Sequence, residues 1–213
     1  MAESKYIHNA LKQVHVNTSS TSVVGFSISG LATYIQLPEL DFCIDMGECP
    51  LSATSLNHVF LTHAHGDHAR CLMRHHSLRK MMGVERESIY YMPERICDGA
   101  RDWIHAEAMF EGVPENKFRY PEIVGVNAGE LQFLEYRKDL AFEAFEVKHS
   151  IYAMGGTLYH YKKKLKEEFL GKTPDEIIKL RESGTEITRE VYDPLVSFMG
   201  DCMGESRLEN KSV

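Results

Sequence analysis

Paired cysteines are missing from this chain of 213 residues. Its five cysteines, Cys43, Cys49, Cys71, Cys97 and Cys202, are odd in number and form no C-x-x-C pair, which argues against a disulfide framework or a cysteine-type zinc site and leaves them as reduced thiols. No run of about 18 apolar residues occurs, so no transmembrane helix and no membrane partner are expected. The first twenty residues mix Glu3, Lys5, His8, Lys12 and His15 with polar side chains. They lack the apolar centre of a secretion signal, so the expected location is intracellular, cytoplasmic by default with nuclear or organellar alternatives open. A basic excess is missing too. The 24 Lys and Arg stand against 31 Asp and Glu, a net charge of −7, so a nucleic-acid partner would have to meet a local basic patch.

What is present is a globular composition, with 43% hydrophobic and 26% charged residues. Residues 1–20 read as an extension with room for a helical turn or two, and 21–213 as one domain. Val23–Ser29, Thr33–Leu37 and Leu40–Ile44 read as a meander of short strands closed by Gly30, Pro38 and Asp45-Met46-Gly47. His58–Thr62 is a further strand, 68–82 a helix, Ile89–Tyr91 a strand and Pro93–Glu111 a long helix. Leu131–Leu134, the alternating Ala141–Val147, Thr157–Tyr161 and Leu195–Met199 read as strands. Residues 162–182 read as helical with a break at Gly171–Pro174. This succession predicts an α/β sandwich with the sheets inside.

The chemistry concentrates in Thr62-His63-Ala64-His65-Gly66-Asp67-His68, directly after a strand. Three imidazoles and one carboxylate within six residues suit zinc, which takes nitrogen and oxygen donors. His63 and His65 can clasp one ion while Asp67 and His68 turn toward a second, with Gly66 permitting the tight turn between the pairs. His149 follows a predicted strand, as does Asp201 in Phe198-Met199-Gly200-Asp201. Taken singly, Asp45 reads equally well as a turn aspartate, and His149 reads more readily as a core or rim histidine.

The histidine loop resembles that of the metallo-β-lactamase superfamily, which implies an αββα sandwich and a metal-dependent hydrolase. By that resemblance His149 matches the third histidine, Asp201 the bridging aspartate, and Asp45 an aspartate supporting the loop from behind. Lactams, thioesters, lactones and phosphodiesters are all cleaved on this fold, so the superfamily alone leaves the substrate open. A finer resemblance is to ribonuclease Z, nearest its short form. It runs over roughly residues 23 to 201, through Gly25–Gly30, Phe42–Pro50, the histidine loop, Lys162–Gly171 and Gly184–Thr188. It implies endonucleolytic removal of the 3′ trailer from precursor tRNA, with two zinc ions (manganese or iron also accept these donors) activating a water. His63, His65 and His149 are expected to hold one metal, and Asp67 and His68 the other, with Asp201 between. Asp67 is the expected catalytic proton acceptor, and a homodimer is expected.

Two basic stretches would grip RNA phosphates or form solvated helix faces. Arg70, Arg74, Arg79, Lys80 and Arg86 less Glu85 give a local +4; Lys162, Lys163, Lys164, Lys166 and Lys172 less Glu167 and Glu168 give +3. Tyr90, Tyr91 and Trp103 read as core residues rather than base platforms. The sequence runs twelve residues past Asp201, and no histidine follows His160. The resemblance implies two more histidines, a last metal ligand and a proton donor to the leaving oxygen. The second half of the fold is therefore expected to be incomplete, and the second metal weakly held. A fragment of a longer protein is preferred over a short form completed by a partner or an RNA-binding member without activity. A hydrolase of a small ester, thioester or cyclic phosphodiester is the alternative enzyme.

Overall fold

A computed structural model describes residues 13–204. The first sheet runs in chain order through β1 (Val14–Asn17), β2 (Ser22–Ile28), β3 (Ala32–Leu37), β4 (Phe42–Ile44), β5 (His58–Phe60), β6 (Ile89–Pro93) and β7 (Glu122–Val126). The pairings from β1 to β4 are antiparallel and those from β4 to β7 parallel. Parallel neighbours need crossovers. Here α1 (Gly66–Ala69) and α2 (Leu72–Met81) lie between β5 and β6, and α3 (Cys97–Phe110) between β6 and β7. The second sheet is antiparallel, in the order β11 (Thr188–Phe198), β10 (Ala153–Leu165), β9 (Arg137–Val147), β8 (Leu131–Leu134).

Two apolar cores define the layers. One packs Val59, Tyr90 and Met92 of the first sheet, with Leu61 just past β5, against Leu72, Met73, Ile104 and Ala108 of the helices. The other lies between the sheets, where Phe42, Phe60, Ile89 and Tyr91 meet Phe142, Leu158 and Phe198. Phe60 stands edge-on to both Phe142 and Phe198, with centroids 5.5 and 5.4 Å away. Helices, sheet and sheet form three of the four layers of the expected αββα sandwich; among the described residues no helix packs on the outer face of the second sheet. The helix α4 (Pro174–Glu182) buries none of its side chains. A capping box starts it: Thr173 Oγ1 accepts the Glu176 amide, and Glu176 returns a carboxylate to the Thr173 amide.

Several expected elements shift. The helix over 68–82 is two helices, because the Cys71 amide leaves the helical pattern to reach Met46 O at 2.9 Å. Pro93 closes β6 instead of opening α3, which follows a 3-10 turn at Glu94–Ile96. The strand β7 was not expected from sequence. In the described part of 1–20 there is a strand, β1, and not a helical turn; the rest of that segment lies outside the described residues. Lys162–Leu165 are strand, not helix. They pair residue by residue with Val191–Thr188, where Lys163 meets Glu190, and cross-strand pairing overrides their local helical propensity.

Candidate metal centre

The site lies where four strands end on one edge of the sandwich. The ends of β4 and β5 are in parallel register, Ile44 beside Phe60, so Asp45 and the histidine loop leave the sheet together. The strands β9 and β11 both run antiparallel to β10, so His149 and Asp201 leave the second sheet in a common direction. The two sheets are joined at this edge, where the Met154 amide donates to Thr62 O at 2.9 Å. Two glycines permit the close packing. A Cβ on Gly47 would sit 1.7 Å from Asp67 O, and one on Gly200 would sit 2.9 Å from the Thr62 side chain, at a positive φ of 61°.

All five expected donors other than Asp67 fall into two overlapping sets. His63, His65 and His149 form one, and His63, His68 and Asp201 the other. His65 Nδ1 is 3.0 Å from His63 Nε2 and 3.2 Å from His149 Nε2. His68 Nε2 faces Asp201 Oδ2 at 3.5 Å and Asp67 Oδ2 at 3.9 Å. Asp67 is oriented by the Gly30 amide, which donates to Oδ2 at 2.6 Å.

Behind the donors, the buried Asp45 organises the protons. It holds a positive φ of 61° and accepts from the Thr62 amide at 2.8 Å and the Thr62 hydroxyl at 3.0 Å. Its other oxygen takes His68 Nδ1–H at 2.7 Å. Thr62 has one hydroxyl proton, and a carboxylate can only accept. The Thr62 oxygen must therefore accept from His63 Nδ1, 2.9 Å away. Both rings are thereby fixed with Nε2 as the lone-pair nitrogen aimed into the cluster. Asp45 stands out in the sequence by resemblance, whereas Thr62 and the Gly30 amide have no role there. The motif holds Thr62 in plain view, while nothing local marks Gly30 as a partner of Asp67.

Burial, then the neighbouring His68, push the His63 pKa down to about 3, so this ring is neutral. Burial opposes a charge on His68, but the Asp45 carboxylate, aided by Asp201 and Asp67, outweighs it and raises the pKa. For Asp67 burial is likewise outweighed, chiefly by the Gly30 hydrogen bond, and its carboxyl stays below the usual range.

This donor set fits metal. Two nitrogens bound tetrahedrally to one zinc at about 2.0–2.1 Å stand about 3.3–3.4 Å apart, close to the separations here. His68 Nε2 is buried without a hydrogen-bond partner, an expense that a bound cation would relieve.

No family model matches the chain. Curated relatives do. It is 28% identical to the chloroplastic tRNase Z TRZ2 of Arabidopsis thaliana over 96% of this chain and 56% of that protein. With tRNase Z TRZ1 of the same plant, identity is 35% over 84% of this chain and 61% of that protein. With the nuclear ribonuclease Z of Triticum aestivum, it is 32% over 79% of this chain and 92% of that protein. The chain belongs to the ribonuclease Z family. It spans 56% and 61% of the length of the two Arabidopsis relatives. Among solved structures, human tRNase Z, short form, aligns at 17% identity over 67% of this chain and 60% of its own, with a TM-score of 0.44.

The basic side chains of this ribonuclease Z relative divide by role. Arg70 and Arg74 are exposed on the helical side, Arg70 with its Nε on Gly47 O at 2.8 Å. Arg79, counted in the first basic stretch, is buried and donates to the Thr54, Leu56 and Arg86 carbonyls and to Asn57 Oδ1. It is a structural cation, withdrawn from the surface charge. Lys163 and Lys164 are exposed on β10, Lys166 half-buried beyond it, and Lys162 ion-pairs with Asp193. Tyr90 and Tyr91 are core residues as expected, whereas Trp103 is 38% exposed. The cysteines are free. No helix among the described residues is long and apolar enough to cross a membrane.

Proposed function

We propose that this chain carries the metal-dependent phosphodiesterase site of a precursor-tRNA 3′ endonuclease. The observation that supports it most is the convergence of the His63, His65 and His149 nitrogens beside His68, Asp67 and Asp201. In this reading His63, His65 and His149 hold one divalent ion. Asp67, His68 and Asp201 would hold a second. Zinc suits the donors best, and manganese or iron fits them too. When bound, such ions would supply a water of pKa near about 7 and positive charge beside the phosphoryl oxygens. The protein's own part is positional. Asp45 holds His68 directly and His63 through Thr62, and the Gly30 amide turns one Asp67 oxygen toward the cluster. Asp67, ionised at neutral pH, stands as the acceptor for the proton of the attacking water.

The tRNA substrate is supported by the names of the relatives, and the exposed Arg70, Arg74, Lys163 and Lys164, with Lys162 and Lys166, supply cations for its phosphates. A homodimer completes the proposal. The test is incubation with a precursor tRNA bearing a 3′ trailer, in zinc or manganese. The expected result is one cut at the trailer junction, abolished in Asp67→Ala. An uncut tRNA alongside hydrolysis of a small nitrophenyl phosphodiester would overturn the RNA substrate, and a nearly normal rate in Asp67→Ala would overturn its role.

A further inference from the structure

Beside the histidine loop lies a hollow of about 450 Å³, walled by Leu61, Ala64, Leu72, Ile96 and Trp103 with Arg95 at its margin. Ala64 sits between His63 and His65, so the hollow shares a wall with the metal cluster. Gly99, Ala100 and Trp103 fall on one face of α3, and their spacing brings the indole over two residues with little or no side chain. A Cβ on Gly99 would meet nothing within 4 Å, so the glycine leaves space that any larger residue would take. Such a glycine inside a helix is less favourable than alanine. The Arg95 guanidinium lies over the Tyr152 ring, 4.0 Å from its centroid, and lines both this hollow and a polar one shared with Asn127 and Glu146.

We infer that this hollow is a nucleobase subsite, in which Trp103 stacks on the base of a nucleotide next to the scissile phosphate. The inference rests on the RNA-cleaving reading of the metal cluster. A strand whose phosphate lies on that cluster must place its neighbouring bases within a nucleotide's reach, and this hollow adjoins it. Its indole and aliphatic walls suit the flat faces of a base, and a stacked guanidinium at the margin suits its polar edge or phosphate. Trp103 sets affinity for that nucleotide and touches no reacting atom.

Trp103 is the sole tryptophan of the chain, so its emission reports on this hollow alone. The experiment titrates the full chain, in the Asp67→Ala background that keeps RNA uncut, with a precursor tRNA carrying a 3′ trailer. The same RNA is also used with an abasic site on one side or the other of the trailer junction, and binding is followed in parallel by filter retention. The expected result is quenching by the intact RNA that one of the abasic RNAs fails to produce. Adding Trp103→Ala should weaken binding of the intact RNA about 5- to 150-fold and that of the informative abasic RNA hardly at all, while Trp103→Phe restores most of the loss. Gly99→Leu, which favours the helix while filling the hollow, should weaken binding likewise. RNA that binds without changing the emission, or a Trp103→Ala loss equal for intact and abasic RNA, overturns the subsite and leaves the RNA reading standing. Absence of any RNA binding overturns both. Emission that follows protein concentration but not RNA assigns the hollow to a second copy of the chain, which also overturns the subsite.

Discussion

Thr62 places a single hydroxyl between the Asp45 carboxylate and the His63 ring, and its one proton decides how His63 presents itself. Because Asp45 takes that proton, His63 must give its own Nδ1 proton to the Thr62 oxygen and keep a lone pair on Nε2. Replacing Thr62 by Val removes the relay without much change in volume. Zinc affinity, measured by competition with a chelator, should fall about 10- to 100-fold, and Thr62→Ser should recover it. Asp45→Asn should act on both His63 and His68 and cost at least as much. An unchanged affinity in Thr62→Val would show that the ring orientation is set elsewhere.

Among the elements, α2 carries the most revealing burden, because it buries two histidines and an arginine. His75 donates and accepts between Tyr90 Oη and Ala53 O, and burial pushes its pKa down to about 4; His76 is lowered to about 4 for the same reason. An unfolded chain protonates such rings below about pH 6.5, while the folded protein does not until pH 4. Stability is therefore full above pH 6.5 and falls as pH drops from there toward 4. Between pH 7.5 and 5.0, in a chelator, His75 alone should cost roughly 2 kcal/mol of unfolding free energy. Urea unfolding of His75→Gln should show that much less loss over the same interval. Arg79→Met should destabilise by about 3 kcal/mol or more at neutral pH, because it leaves four oxygens unpaired, yet leave zinc content per folded chain unchanged. Sequence could not foresee this role. Arg79 shares a run with exposed cations, and the carbonyls it serves come from a loop 22 to 25 residues earlier. The lysines at 162–164 misled in the opposite way: their composition favours helix, but their conformation is set by a strand some thirty residues away.

For the molecule as a whole, the proposed function requires an acidic chain to meet RNA through a few exposed cations. Lys163→Gln with Lys164→Gln should weaken RNA binding and reduce the slope of log affinity against log salt by about 0.7–0.9 for each phosphate that is no longer neutralised. The centre of the site was legible early, because His63, His65, Asp67 and His68 lie within one loop after one strand. His149 lies 84 residues from the His65 nitrogen it faces, and only family resemblance linked the two before the fold joined them. The strand ends brought together by two sheets turn scattered residues into one cluster of metal donors. It is tested most directly by measuring zinc retained per chain after exhaustive dialysis, in the unaltered protein and in His65→Ala. At least one zinc should be held by the unaltered chain and lost from His65→Ala with the fold intact. An unaltered chain that retains none, or a His65→Ala variant that retains as much, would contradict it.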